Sequence, residues 1–169
     1  MKKTIKTFVF LFLVTATVAC KNDTKKTEST IEYPETSEQA TAPENDNTTV
    51  VLEGNDQMQF DKSEIDVPVG KTISLTLKHT GKLAKEVMGH NFVLLDQGVD
   101  FNDFASKAVL AKETDYIPAD ATGVLAHTKV IGGGESVTVE FTISEAGTYD
   151  FLCSFPGHSA MMKGKLIAK

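Results

Sequence analysis

The 169-residue sequence has no arginine, no tryptophan, only two cysteines, and no apolar run long enough to cross a membrane as a helix. Without arginine there are no guanidinium forks to make paired contacts with phosphates or base edges. The 17 basic residues, all lysine, are outnumbered by 23 acids, and the net charge of −6 opposes approach to DNA or to an anionic membrane surface. No nucleic-acid partner is expected. The length suits one domain with appendages rather than two full cores. Cys20 and Cys153 could in principle pair, but their surroundings argue against one disulfide.

Lys2, Lys3 and Lys6 precede the apolar run Phe8 to Val14, and small or short residues lead into Cys20. This reads as a secretory signal over residues 1–19. The end of that segment, Thr17-Val18-Ala19-Cys20, resembles a bacterial lipobox with threonine where leucine is usual. The resemblance implies that Cys20 becomes the lipidated first residue of the mature chain. Lipidation would also remove an exposed, reactive thiol from an oxidising compartment. Residues 20–50 then read as a disordered acidic tether, because they are rich in Thr, Glu, Asn, Asp and Ser and have too little apolar surface to fold. After Cys20 the segment carries three lysines against seven acids, so it repels itself and spans roughly 30 Å or more. The expected location is the periplasm or the cell surface, with the domain held to a membrane through lipid.

Residues 51–169 hold nearly all of the remaining patterned hydrophobic sequence. In Thr72 to Lys78 the apolar residues are Ile73, Leu75 and Leu77, and in Ser136 to Ile143 they are Val137, Val139, Phe141 and Ile143. Alternation of this kind predicts strands with one buried face. Further strands are expected over Ile65–Val67, Asn91–Leu95, Thr122–Ala126, Tyr149–Cys153 and Lys165–Ala168, with turns at Gly81, Gly132 to Gly134 and Gly147. The spacing of Phe101, Phe104, Ala105, Ala108 and Val109 predicts a helix over 101–111. The expected fold is therefore an all-β Greek-key sandwich with one short inserted helix.

The chemistry is concentrated in Cys153-Ser154-Phe155-Pro156-Gly157-His158-Ser159-Ala160-Met161-Met162. Alternation along Tyr149, Phe151 and Cys153 points the thiol into the sandwich, and Pro156-Gly157 turns the chain so that His158 comes back toward it. Thiolate, imidazole and thioether within ten residues form a soft set that suits copper. Structural zinc would need further Cys or His pairs, and none is present. A second histidine must come from His79, His90 or His127. His90 is the best placed, in Met88-Gly89-His90-Asn91 before an apolar strand, where a glycine lets the backbone approach a metal. His79 and His127, taken alone, read as structural or surface histidines.

The stretches Glu53 to Phe60, Val87 to Asn91, Ala126 to Lys129 and Cys153 to Gly164, in order along residues 53–169, resemble the azurins, blue-copper proteins of the cupredoxin family. The Cys-x4-His-x3-Met spacing separates azurins from relatives with a shorter loop. The resemblance implies that His90, Cys153 and His158 are equatorial copper ligands, Met162 is a weak axial ligand, and the Gly89 carbonyl is a distant fifth contact. Asn91, Ser154 and Phe155 are expected to tie the two ligand loops together and temper the thiolate. Met58, Met88, Phe104, Phe155 and Met161 match or conservatively replace the family's apolar docking patch around the histidine ligand of the loop, here His158. The family's disulfide is absent, since Thr48 and Lys71 stand at its positions, and Phe92 lies two residues after the first histidine ligand.

The implied function is a single-copper electron carrier, not an enzyme, working outside the cytoplasm between redox proteins such as cytochromes or copper enzymes. A copper chaperone or buffer that hands over the ion is the alternative, but such sites are usually exposed and loosely held. Multicopper oxidases and copper nitrite reductases place histidines beside the cysteine, whereas here its neighbours are Leu152 and Ser154. A metal-free adhesive lipoprotein would leave the Cys, His and Met spacing unexplained.

Overall fold

The computed structural model describes residues 47–169. The expected signal segment, Cys20 and nearly all of the expected tether lie outside the described residues. Among the described residues, eight strands form two sheets: β1 (Thr49–Gly54), β2 (Glu64–Val67), β3 (Thr72–His79), β4 (Val93–Leu95), β5 (Val124–His127), β6 (Ser136–Thr142), β7 (Gly147–Leu152) and β8 (Lys163–Ala168). One sheet has the order β1-β3-β6 and the other β2-β8-β7-β4-β5. The β1/β3 and β2/β8 pairs are parallel and the remaining pairs antiparallel. This is the expected β-sandwich.

The alternation carried by the sequence sets the core. In β3 the buried residues are Ile73, Leu75, Leu77 and also His79, the next residue in phase. Parallel pairing places Val50 beside Leu75 and Leu52 beside Leu77. These residues meet Phe92, Leu94, Phe141, Tyr149, Phe151 and Leu166 between the sheets. Truncating a fully buried leucine here, such as Leu77→Ala, costs about 2–5 kcal/mol. The Tyr149 hydroxyl donates to the Glu145 carbonyl at 2.9 Å, so the ring is buried without stranding its polar end.

Several boundaries differ from expectation. Strand β1 starts at Thr49 and buries Val50, so the fold claims residues that composition alone assigns to the tether. A four-residue helix, α1 (Lys85–Met88), adds to the expected one. The inserted helix, α2 (Phe101–Ala108), stops short of residue 111, and a 3-10 turn follows at Lys112–Thr114. Asp100 caps α2 by accepting the amides of Asn102 and Asp103, each at 2.9 Å. Val109, in phase on a longer helix, is 46% exposed. Helix α2 packs Phe104 and Ala108 on Val93, Leu95 and Leu152, the outer face of the five-stranded sheet. Thus β4 is buried on both sides, which explains its unbroken apolar run.

Candidate metal centre

Cys153 follows β7, and the loop from Ser154 to Met162 leads back into β8. His90 stands just before β4, whose pairing with β7 sets Val93 opposite Leu152. Each segment therefore delivers its ligand candidate to the same end of the sandwich. The donor atoms of His90, Cys153 and His158 lie within 4.8 Å of one another, and all three residues are buried. His90 Nδ1 is 3.2 Å from His158 Nδ1, and Cys153 Sγ is 3.6 Å from His158 Nδ1. Three donors about 2 Å from one central ion in a plane stand roughly 3.5 Å apart, so the spacing fits a small metal ion.

The surroundings fix these donors. His90 Nε2 donates to the Asn55 carbonyl at 2.9 Å, which leaves Nδ1 free of a proton and aimed at the other donors. The His90 backbone bonds Ile131 in both directions, at 2.9 and 2.8 Å. Asn91 bridges the loops: its amide nitrogen donates to Ser154 Oγ and its oxygen accepts the Ser154 amide, both at 2.8 Å. In the lower loop, the Met161 and Met162 amides donate to the His158 carbonyl, and the Cys153 amide donates to the Met162 carbonyl. Met162 is fully buried. The Gly89 carbonyl lies 4.0 Å from Cys153 Sγ.

Residues 46–169 match the family described as copper binding proteins, plastocyanin/azurin family. The chain belongs to that family. Azurin-1 of Alcaligenes xylosoxydans xylosoxydans is 48% identical over 123 residues, covering 70% of this chain and 95% of the relative. Outer membrane protein H.8 of Neisseria gonorrhoeae is 43% identical over 123 residues, covering 71% of this chain and 67% of that protein. Among solved structures, reduced auracyanin from the photosynthetic bacterium Roseiflexus castenholzii shares 37% identity at a TM-score of 0.65, over 72% of this chain and 97% of that one. The protein is a blue-copper electron-transfer protein with one copper ion as cofactor.

The electrostatics suit a copper-binding family member. Burial pushes the Cys153 thiol up to about 12, so without metal it stays protonated and inert. Burial, then the neighbouring His90 and His79, holds His158 down at about 4. Burial also lowers His90. Both imidazoles are therefore neutral at pH 7 and able to bind a cation, and metal binding must release the thiol proton.

His79, read from the sequence as a structural or surface histidine, is a buried structural one. Its ring is 1% exposed and stacks on His90, with centroids 4.2 Å apart and planes 13° apart. Its Nε2 donates to the Met88 carbonyl at 2.8 Å and its Nδ1 accepts the Gly81 amide at 3.0 Å, so both nitrogens are occupied and it is a prop, not a ligand. Continuing the β3 alternation by one residue past Lys78 would have found it. Gly54, in phase with Val50 and Leu52, was also missed: a Cβ there would lie 2.8 Å from His90 Cδ2 and 3.2 Å from Met162 Cε. Gly89 is held to glycine by packing, since a Cβ would meet the Lys85 carbonyl and Val130 at 2.5 Å. His127 is exposed in β5, in register with Val93, and is not brought to the site.

The expected docking patch needs one correction. Phe104 is 4% exposed and belongs to the cluster beneath α2, because its ring fills the contact between that helix and the sheet. Met161 is 55% exposed, and Met58, Met88 and Phe155 are half-buried. Leu83 and Val87, within five residues of Met88 in the chain, are exposed apolar residues that sequence reasoning did not place in the patch. Phe155 packs on His158 at 4.8 Å and makes a T-shaped contact with Tyr116 at 5.2 Å. Asp115 and Tyr116 have φ of 54° and 61°, a left-handed pair that costs roughly 1–2 kcal/mol per residue.

Proposed function

We propose that His90 Nδ1, the Cys153 thiolate and His158 Nδ1 hold the copper equatorially, with Met162 as axial ligand and the Gly89 carbonyl as a distant fifth contact. The observation that carries this reading is the buried triangle of donors within 4.8 Å, each fixed by its own backbone or side-chain bonds. Bound copper supplies a one-electron Cu(I)/Cu(II) couple. Cys153 favours the higher state through its charge, and the thioether and dry pocket favour the lower. Asn91, by tying Ser154 to the His90 loop, keeps the donors in place through the change of charge. A buffer or chaperone would need ligands that open to an acceptor, and burial of all three donors disfavours that role.

Electrons leave through His158, and Met58, Met88, Phe155 and Met161, with Leu83 and Val87, form the apolar surface on which a redox partner docks. Cytochromes and copper enzymes outside the cytoplasm are the partners of choice. Cys20 carries lipid and holds the domain to a membrane in the periplasm or at the cell surface. The Thr17 to Cys20 motif supports this anchor, as does the relative named outer membrane protein H.8. Cys20→Ala should yield a soluble or unprocessed precursor, and failure of labelled fatty acid to enter the wild type would refute lipidation.

Two variants test ligand and docking roles together. Met162→Leu should raise the reduction potential by removing a donor, whereas Met161→Glu should leave spectrum and potential close to wild type. Met161→Glu should instead slow electron self-exchange, because two new acids must meet at the contact. A potential shifted by Met161→Glu and untouched by Met162→Leu would overturn the assignment.

A further inference from the structure

The strained turn after α2 makes contacts that its role as a connection does not require. The Asp115 carbonyl accepts a hydrogen bond from Asn91 Nδ2 at 2.8 Å, the same nitrogen that donates to Ser154 Oγ. Asp115 Oδ1 accepts the Val130 amide at 2.9 Å, and the next residue, Ile131, is the backbone partner of His90. The Tyr116 amide donates to the Ala111 carbonyl at 2.8 Å, which pins the turn to the end of the helical insertion. Its ring meets Phe155 edge-on, and Phe155 lies against His158. Two adjacent residues thus reach the segment before β4, the segment after β5 and the loop after β7.

We propose that the Asp115–Tyr116 turn is a positioning element of the copper site: Asp115 locks Asn91 and the 130–131 backbone that brace His90, and Tyr116 braces His158 through Phe155. The proposal rests on the blue-copper reading and deepens it. A residue that merely joins helix to strand would adopt ordinary φ, or be glycine, at no conformational cost. Non-glycine side chains kept in the left-handed region are over-determined by their surroundings, and the surroundings here are ligand loops. Asn91 alone ties two loops together; with Asp115 it ties three. Because Tyr116 acts on the ring next to His158 and Asp115 on the bonds next to His90, losing either loosens a different ligand.

The test compares Asp115→Ala with Asp115→Asn, and Tyr116→Asn with Tyr116→Phe. Asparagine at 115 keeps the acceptor and tolerates the left-handed backbone; at 116 it keeps the backbone and removes the ring, while phenylalanine keeps the ring. Asp115→Ala and Tyr116→Asn should each lower copper affinity roughly tenfold and shift the visible band and the potential, with the conservative partners staying within about twofold of wild type. In the metal-free protein, Asp115→Ala should speed hydrogen exchange at the Val130 amide, whose acceptor it removes. If Asp115→Ala does not fold, the Tyr116 pair decides. Wild-type affinity, band and potential in Asp115→Ala or in Tyr116→Asn, even with a lowered unfolding midpoint, would overturn the proposal and leave the blue-copper reading intact. A wild type that takes up copper without an intense visible band would overturn that reading and the proposal with it.

Discussion

His79 lies flat against His90, ring on ring at 4.2 Å, and neither of its nitrogens is left for a metal. The residue works by holding the Met88 carbonyl and the Gly81 amide while its face supports a ligand.

Replacing His79 by leucine should keep copper binding and the blue colour but cost about 1–3 kcal/mol, since it leaves a part-buried amide and carbonyl without their partner. Denaturant midpoints of the metal-free variant and wild type measure this. Loss of colour in a folded His79→Leu protein would contradict this purely supporting role.

Gly54→Ala places a methyl 2.8 Å from the His90 ring and 3.2 Å from the Met162 methyl. One of the two must move. The expected outcome is a folded protein destabilised by about 1–3 kcal/mol, with an altered visible spectrum. A spectrum and midpoint equal to wild type would show that His90 and Met162 are not confined there.

The metal-free protein should lose stability at both ends of the pH scale. His158 is held at about 4 against an ordinary value near 6.5, so the unfolded chain binds the extra proton. Its contribution is complete above about pH 6.5 and is lost as pH falls toward 4. Cys153 works in the opposite sense, since its folded value of about 12 exceeds the unfolded one. That contribution is complete below about pH 8.5 and is lost as pH rises toward 12. Unfolding midpoints across pH check both limbs. A Cys153→Ser variant should lose the contribution of this thiol to the alkaline fall, and the test fails if its alkaline curve is unchanged.

Alternation made the strand core legible, because Ile73, Leu75 and Leu77 or Val137, Val139 and Phe141 have one buried side each. The Cys153, His158 and Met162 spacing made the loop legible, since a short loop must bring its donors back toward the strand end. The partners of those donors were harder to read. His79 continues the β3 alternation one residue past Lys78, and Gly54 has no side chain by which to show that it makes room. Asp115 and Tyr116 act through backbone angles and through residues distant in sequence, so no local pattern reveals them. Phe104 misled because a match to the family's patch does not say on which side of the helix its ring packs.

The central claim is that Cys153, His90 and His158 bind one copper through a thiolate. Addition of Cu(II) to purified metal-free protein, followed by visible absorption, tests it most directly. The account predicts an intense band at about 600 nm that saturates at one equivalent and is absent from Cys153→Ser. A wild type that binds copper without colour, or a Cys153→Ser variant that turns blue, would contradict it.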